Sequence, residues 1–294
     1  MDVTLERLEQ RIAREANQPR VLRFAKRHPM LVIGLVLLLI MVFLALFAPW
    51  LTTYDPTEMN VAMRLKPSSA EHVFGTDAMG RDIFSRTLYG ARVSLLVGSC
   101  VALVSAAIGI AIGTVAGFSR WIDAVVMRIM DGMMAIPGIL LAVALMTLIQ
   151  ASVQTVIIAI ALPEIPRVVR LVRALVLTIR EQPYIQAAQA MGTRLPMILA
   201  RHVAPNLITP LIVQASFTCA SAMIFEAYLS FLGAGTPPEV PSWGNIMADG
   251  RSVVQLAFGV ILYPGLFLGL TVLAVNLIGD GLRDLLDPRI AKKL

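Results

Sequence analysis

Charged side chains are scarce in this sequence. Of its 294 residues only 15% are Asp, Glu, Lys or Arg, whereas 57% are hydrophobic, and the mean hydropathy is +0.76. A water-soluble domain of this size carries roughly 25% charged residues. The deficit excludes an ordinary soluble enzyme and places most of the chain in a lipid bilayer.

Residues that form metal sites or disulfides are also few. Cys100 and Cys219 are the two cysteines, and they lie in separate apolar runs with no CxxC spacing. His28, His72 and His202 are scattered along the chain. This pattern excludes a zinc site and a disulfide framework. We expect the two cysteines to be small apolar packing residues.

Motifs for nucleotide binding and nucleophilic catalysis are missing. The sequence contains no G-x-x-x-x-G-K-[ST] phosphate loop, no G-x-S-x-G elbow and no H-E-x-x-H helix. We therefore predict no catalytic residues, no metal and no cofactor bound by this chain, which should not hydrolyse ATP alone. The net charge of +6 would suit nucleic acid, but the distribution of basic residues described below argues against that partner.

Long apolar runs predict the fold. Each is long enough to cross a hydrocarbon core of about 30 Å at about 1.5 Å per residue. One of them is too long for a single span, and its polar centre, Gln150–Gln154, predicts an outer turn. Backbone groups in lipid must be satisfied internally, so the spans are helices. We predict an all-α polytopic membrane protein with about six transmembrane helices, drawn from runs 30–49, 93–118, 133–163, 207–235 and 252–279.

The basic residues predict the orientation. With the N-terminus inside and six crossings, the inner segments hold 19 of the 25 Lys and Arg residues and the outer segments hold 6. Such an excess marks the cytosolic side. We therefore expect both termini in the cytosol.

This topology divides the chain into five parts. The first is a cytosolic N-terminal segment with an amphipathic pattern over 3–18, and the last is a cytosolic tail. The expected parts are an N-terminal segment 1–29, a first transmembrane helix 30–50, an extracytoplasmic segment 51–90, a membrane core 91–282 that includes a cytosolic loop 180–206, and a tail 283–294.

The cytosolic loop 180–206 is too long for a plain connector. Good helix formers predict a short helix over Tyr184–Met191, and Gly192 suits a left-handed cap at its end. Leu195–Val203 is expected to form a second arm. Pro205 should end that arm, because proline lacks a backbone donor. The loop is therefore predicted to be a helical hairpin.

Within this loop, six residues resemble the "EAA" loop of ABC-importer permeases, which docks into a cytosolic ATPase. The sequence departs from the family pattern at Gln186, where the family has Glu, and at Ala204, where Leu is usual. The first departure removes the charge needed for a salt bridge but keeps the length and the hydrogen bonding. The resemblance implies an ATPase-coupling role for Tyr184, Gln186, Ala187, Ala188, Gly192 and Pro205.

Four further stretches resemble one subgroup of that family, the second ("C-type") permease subunit of dipeptide/oligopeptide/nickel importers. They occur in the right order, from about residue 25 to the end of the chain. The first contains the glycines and charges of Gly75-Thr-Asp-x-x-Gly80-Arg-Asp. The stretches are 72–95, 131–137, 230–245 and 279–289.

The resemblance implies the fold of a type I ABC-importer transmembrane domain in a bacterial or archaeal cytoplasmic (inner) membrane. It also implies an ATP-driven importer of di- or oligopeptides, with partners that do the chemistry. Those partners are a second, similar permease subunit, two cytosolic ATPases that bind ATP and Mg, and an extracytoplasmic substrate-binding protein, beside membrane lipid.

Three alternatives stay open at this point. The same architecture could import nickel chelates or glutathione-like or opine-like solutes. A secondary transporter driven by an ion gradient would need paired acids in mid-membrane and inverted repeats, whereas one such acid and no obvious repeat are present. A membrane scaffold without transport would not need the cytosolic loop.

The outer motif has two interpretations. Its glycines suit tight turns and its charges suit a compact, capped segment before a helix. Alternatively, the motif forms a platform at the outer gate that faces a binding protein. Trp243 is expected to anchor at the membrane interface. The residues concerned are Gly75, Asp77, Gly80, Arg81, Asp82 and Trp243.

Charged residues inside predicted spans suggest function by default. Glu226 is expected either to hydrogen-bond within the packing or to line the cargo path, and we favour the former. Asp131 is expected to pair with Arg128, three residues earlier on the same helix face. A further set recurs every third residue and should meet water or lipid phosphate; it is Arg167, Arg170 and Arg173.

Glycines at four-residue spacing in the second span permit close helix packing. We expect a contact within the chain, or alternatively with a partner subunit, at Gly109, Gly113 and Gly117.

Overall fold

The computed structural model describes residues 20–286, with side chains from residue 24 onward. The amphipathic pattern over 3–18 and the part of the predicted tail beyond 286 therefore lie outside the described residues.

Within the described residues the chain is helical, and a single isolated bridge between Thr76 and Asp82 is the only β-type pairing. This confirms the all-α prediction. Three short helical segments are of other types: 3₁₀ turns at Val61–Met63 and Arg251–Val253, and a π-helical turn at Leu199–Val203. The α-helices are α1 (Arg20–Arg27), α2 (Pro29–Leu46), α3 (Ala48–Leu51), α4 (Ile83–Phe118), α5 (Arg120–Ala135), α6 (Gly138–Leu148), α7 (Val153–Arg180), α8 (Pro183–Ala190), α9 (Leu195–Ile198), α10 (Ala204–Phe231), α11 (Trp243–Gly250) and α12 (Gly259–Leu286).

Four helical stretches are long and apolar enough to cross a membrane: α2, α4, the stretch Leu195–Phe231 that ends with α10, and α12. The pair α5–α6 is a fifth candidate, as a span bent by 86°. Helix α7 is long enough but is not among them, because every 18-residue stretch of it contains Glu164, Arg167 and Arg170. A multi-pass membrane protein is therefore supported.

The region before the third span differs from the prediction. Residues 119–132 were expected to be an inner loop, but they form most of α5. The helix ends at Ala135, and the backbone is extended at Ile136 and Pro137 before α6 begins. Proline has no backbone N–H and disfavours a helical residue before it, so the break falls here.

Helix α7 is also longer than the apolar pattern indicated. The fully apolar part of the predicted span ends before Pro163, and the helix continues through Pro163 and Pro166 to Arg180, as the arginines at every third residue indicated. Glu164 and Pro166 are buried, and packing from neighbouring helices offsets the cost of a proline inside a helix. The predicted turn is present between α6 and α7, although its outer position stays a prediction: α7 starts after Ser152, whose hydroxyl accepts a hydrogen bond from Thr155 N at 3.1 Å.

The glycines of α4 pack against α7 of the same chain. A Cβ on Gly109 would lie 2.4 Å from Val168 Cγ1, and one on Gly113 would lie 2.8 Å from the Val169 carbonyl. Gly117 meets Val176 in the same way. The expectation of a contact within the chain is confirmed. The residue numbers of the glycines and of their contacts on α7 increase together, so α4 and α7 run parallel.

Candidate functional site

The loop 180–206 forms a hairpin whose inner surface is firmly packed. Ile185 of α8 is fully buried, and Ile198 of α9 is almost fully buried. Both join one apolar cluster with residues of α7, such as Val176, and of α10, such as Leu207. Apolar burial of this kind fixes the hairpin to two long helices. Any movement of the hairpin would therefore be transmitted to α7 and α10.

A glycine cap ends the first arm, as the sequence predicted. Gly192 has φ of +77°, a conformation that costs other residues about 1–2 kcal/mol. Its N–H donates to the Gln189 carbonyl at 2.9 Å, and Thr193 N donates to the Ala188 carbonyl at 3.0 Å. These two bonds form a Schellman motif, which satisfies carbonyls at the helix end. The helix itself is Pro183–Ala190, close to the predicted 184–191.

The second arm does not end at Pro205. Helix α9 passes through the π-helical turn Leu199–Val203 directly into α10, which begins at Ala204. Ala204 N donates to the Leu199 carbonyl, five residues back, and Pro205 occupies the first turn of α10. Pro205 cannot donate to the turn before it, and the π-helical turn, where the hydrogen bonding already shifts by one residue, falls directly at this point. The prediction that Pro205 stops the arm was wrong.

The surface of the hairpin carries exposed apolar side chains among polar ones. Tyr184 is 46% exposed and Met191 is 79% exposed. Gln186 and Ala187 are also exposed, and the Gln186 amide donates to the Glu181 carbonyl at 3.3 Å. Of the six residues in the predicted coupling set, Ala188 alone is buried. Exposed apolar side chains grouped on a rigid knob are typical of a protein-binding surface.

The opposite end of the bundle carries a charge network of four residues. Helix α4 connects the two ends, and its 36 residues span about 54 Å. The Arg81 guanidinium binds Asp77 at 2.7 Å and Asp249 at 2.7 Å. Arg86 lies 3.2 Å from Asp249 and 3.8 Å from Asp77. The network joins the segment before α4 to α11, which lies more than 160 residues further along the chain.

Tight turns and a helix cap complete this end. Asp82 accepts a hydrogen bond from Ser85 N at 2.7 Å as the cap of α4, and its other oxygen lies 2.9 Å from His72 Nδ1. Gly75 and Gly80 both have positive φ, and a Cβ on Gly80 would lie 1.8 Å from the Asn60 carbonyl oxygen. The compact, capped segment that the sequence indicated is what the structure shows.

The burial of the outer motif is relevant to the hypothesis that it faces a binding protein at the outer gate. The six residues proposed for that role are all buried within the described chain: Gly75, Asp77, Gly80, Arg81, Asp82 and Trp243. Trp243 was expected to anchor at the membrane interface, but it is fully buried and its Nε1 donates to the Thr87 carbonyl at 3.0 Å. The loop before Trp243 places its side chain against α4 instead. A contact with a binding protein stays a prediction for this set.

Glu226 is the centre of a buried hydroxyl cluster. One carboxylate oxygen accepts hydrogen bonds from Ser230 at 2.8 Å and from Ser242 at 2.7 Å. Glu226 has no exposed surface. Because Ser242 also caps α11, the acid joins α10 to the start of α11. This geometry matches the favoured expectation of hydrogen-bonded packing.

Three ion pairs run along α7 and form what we call the ion-pair ladder. Arg167 binds Glu164 at 2.8 Å, one turn away on the same helix. Arg170 binds Asp131 of α5, and Arg173 binds Asp123 of α5 through both oxygens. Residues three apart lie on one face of a helix, which brings the arginines to α5. Two of the three pairs therefore connect α5 to α7.

The ladder corrects two expectations and adds two residues. Asp131 pairs with Arg170, not with Arg128, and the arginines meet carboxylates as their first partners. The roles of Asp123 and Glu164 were not foreseen. The signal was present, since Asp123 and Asp131 are eight residues apart and therefore share a helix face. Reading 119–132 as a loop concealed it.

Comparison with known proteins agrees with this geometry. The family model described as "Binding-protein-dependent transport system inner membrane component" matches residues 108–292. The model described as the N-terminal TM domain of oligopeptide transport permease C matches residues 20–67. The second match confirms the resemblance to C-type subunits.

Three relatives illustrate the similarity over nearly full length. A probable peptide ABC transporter permease protein of Sinorhizobium fredii is 50% identical over 96% of this chain and 98% of its own. A dipeptide transport system permease protein of Alkalihalophilus pseudofirmus is 42% identical over 90% of this chain and 88% of its own. An oligopeptide transport system permease protein of Bacillus subtilis is 35% identical, over 92% and 89% respectively. The chain therefore belongs to the family of binding-protein-dependent transport system inner membrane components.

Proposed function

We propose that the chain is one of two permease subunits in an ATP-driven peptide importer. The observation that carries the proposal is the hairpin: a knob with exposed apolar side chains that is rooted by buried Ile185 and Ile198 in two long helices. Such a knob passes the movement of a bound motor to the helices around a transport path. The chain itself supplies the path and the linkage, and its partners supply the chemistry.

The topology supports a cytosolic position for the knob. Six crossings arise if α5–α6 and α7 are counted with the four apolar spans. Both termini and the hairpin then lie on the side that holds 19 of the 25 basic residues, as expected for cytosolic segments. The four-charge network faces the opposite side, where a binding protein delivers cargo.

The partners follow from this arrangement. A second, similar permease subunit encloses a cavity with this one, and two cytosolic ATPases bind ATP and Mg and receive the hairpins. ATP binding closes the motors and opens the cavity outward, and hydrolysis returns it inward. The bound nucleotide thus shifts the equilibrium between two packed states of the subunits. Peptide is the favoured cargo because the three relatives described above are named for peptide, dipeptide and oligopeptide transport.

The test compares two Ala→Trp variants in the assembled complex. Ala187→Trp adds bulk to the exposed face of α8, whereas Ala70→Trp adds it to an exposed position in the segment before α4. We expect Ala187→Trp to reduce co-purification of the ATPases and ATP-dependent dipeptide uptake into vesicles by at least about tenfold, a typical effect at a packed interface centre. Ala70→Trp should leave both unchanged. Full uptake and full ATPase recovery in Ala187→Trp would refute the coupling role.

The cargo is tested separately in the same vesicles. Uptake of a labelled dipeptide that requires ATP, Mg and the cognate binding protein supports peptide import. Uptake of a nickel chelate but of no peptide would retain the importer and reject the cargo.

A further inference from the structure

The ion-pair ladder lies at mid-depth in the bundle. Helix α7 has 28 residues and is about 42 Å long, and Arg167 stands at its middle. A hydrocarbon core about 30 Å thick centred on this helix contains Glu164, Arg167 and Arg170, whichever way the helix points. Two of these three side chains are not covered by the chain, since those of Arg167 and Arg170 are 55% and 44% exposed.

The exposed stripe of α7 differs from the stripes that meet lipid. In the second half of α7 the exposed residues are Arg167, Arg170, Ala174 and Thr178, with no large apolar side chain among them. On α2 the exposed residues are large and apolar throughout, for example Leu39 at 58%. Exposed charges at mid-depth in a membrane protein face a water-filled cavity or another protein, because lipid would not solvate them.

The guanidinium groups keep hydrogen-bonding capacity. Each arginine carries five N–H donors in a planar fork. In the part of the chain that the structure describes, the side-chain hydrogen bonds of Arg167 and Arg170 go to one carboxylate each, through one nitrogen each. The same fork binds a second carboxylate without breaking the first pair, as bidentate guanidinium–carboxylate geometry allows.

We propose that this stripe of α7 faces the water-filled transport path and that Arg167 and Arg170 contact the carboxylate group of the cargo during passage. The inference rests on the proposed function, and it specifies the class of cargo as carboxylate-bearing solutes. Glu164, Asp131 and Asp123 hold the arginines in place and keep the local charge near neutral, so that the carboxylate is guided and not trapped.

The first experiment tests the face and needs no cargo. In the whole complex in nanodiscs, with Cys100 and Cys219 replaced by Ala, Ala174→Cys is treated with a sulfonated, membrane-impermeant thiol reagent. Leu39→Cys is the matched control at an exposed position of α2. We expect Ala174→Cys to react at least about tenfold faster, because thiolates form in water and not in lipid. Equal, slow reaction at both positions, with and without ATP, would overturn the proposal.

The second experiment tests the carboxylate. Uptake of one dipeptide is compared with that of its C-terminal amide, both chosen to bind the cognate binding protein. We expect Arg167→Gln to slow uptake of the free acid by about tenfold, because a charged hydrogen bond is lost. Uptake of the amide should be slowed far less. Arg167→Lys should restore part of the difference. Arg283→Gln, at an exposed position near the end of α12, is the control and should slow neither.

The outcomes separate the two proposals. Equal loss for acid and amide, together with loss of ATPase activity, would assign Arg167 a structural role only and overturn the carboxylate contact. No loss for either peptide would also overturn it. If the wild-type complex moves neither peptide, the proposed cargo fails, and the thiol reaction at Ala174→Cys still decides whether the stripe faces water.

Discussion

Two regions of the bundle, the four-charge network at one end and the ion-pair ladder along α7, use charged side chains in opposite ways. In the four-charge network the side chains of Arg81 and Arg86 are 4% and 1% exposed. In the ion-pair ladder those of Arg167 and Arg170 are 55% and 44% exposed. Both sets pair arginine with acid. The first fixes a segment before α4 to a distant helix, whereas the second leaves its guanidinium groups open to another partner.

The difference shows why an ion pair alone does not indicate a role. A buried pair stabilises only while it is complete, since removing one partner leaves an uncompensated charge. An exposed pair contributes little, because water already solvates both groups. We therefore interpret the four-charge network as a structural clamp and the ladder as a surface that works on something outside the chain.

The largest expected effect is the removal of an acid from the four-charge network. Asp77→Ala leaves Arg81 and Arg86 with one shared carboxylate, Asp249, and should destabilise the subunit by about 3–5 kcal/mol. The measurement is thermal unfolding of the purified complex in detergent. A shift no larger than that of an exposed substitution such as Ala70→Ser would contradict the contrast between the network and the ladder.

The contact between α4 and α7 gives the next largest effect. Gly113→Val would press against the Val169 carbonyl and Val172, each 2.8 Å from the added Cβ, and overpacking costs about 1–3 kcal/mol. Gly269→Val on α12 is the control, because its Cβ meets no described atom within 4 Å. We expect only the first variant to lower the unfolding temperature. Similar shifts in both would mean that β-branching, not the close contact, is responsible.

How far the sequence predicts these features depends on the range of the interactions. The α8 helix and the Gly192 cap were predicted because they depend on residues within one turn. The ladder was not, since it requires α5 to exist and to lie against α7, and the four charged residues of 119–132 disguised that helix. The link from Arg81 to Asp249 crosses 168 positions, and no local pattern indicates it. Trp243 was misplaced for the same reason: its burial depends on α4.

A substitution in the hairpin tests the effect of backbone strain without changing any charged residue. Gly192→Ala keeps open space around the added Cβ, but the residue must adopt φ of +77°, at a cost of about 1–2 kcal/mol. Gly132→Ala also adds its Cβ to open space, yet it lies within α5 and should stabilise that helix by about 0.5–1 kcal/mol. Hydrogen exchange of the 183–203 amides should therefore rise in the first variant and not in the second. Unchanged exchange in Gly192→Ala would show that the cap does not hold the arm.

The smallest expected effect is on the ladder itself, and it completes the comparison. Asp131→Asn removes a charge from a pair whose side chains are 56% and 44% exposed, so the stability of the complex should fall by less than about 1 kcal/mol. Thermal unfolding of this variant beside Asp77→Ala gives the contrast directly. If Arg170 acts on the cargo, transport should change more than stability does, because the freed guanidinium is then held less firmly in place. A large loss of stability in Asp131→Asn would instead make the ladder a structural clamp like the four-charge network, and the distinction between the two regions would fail.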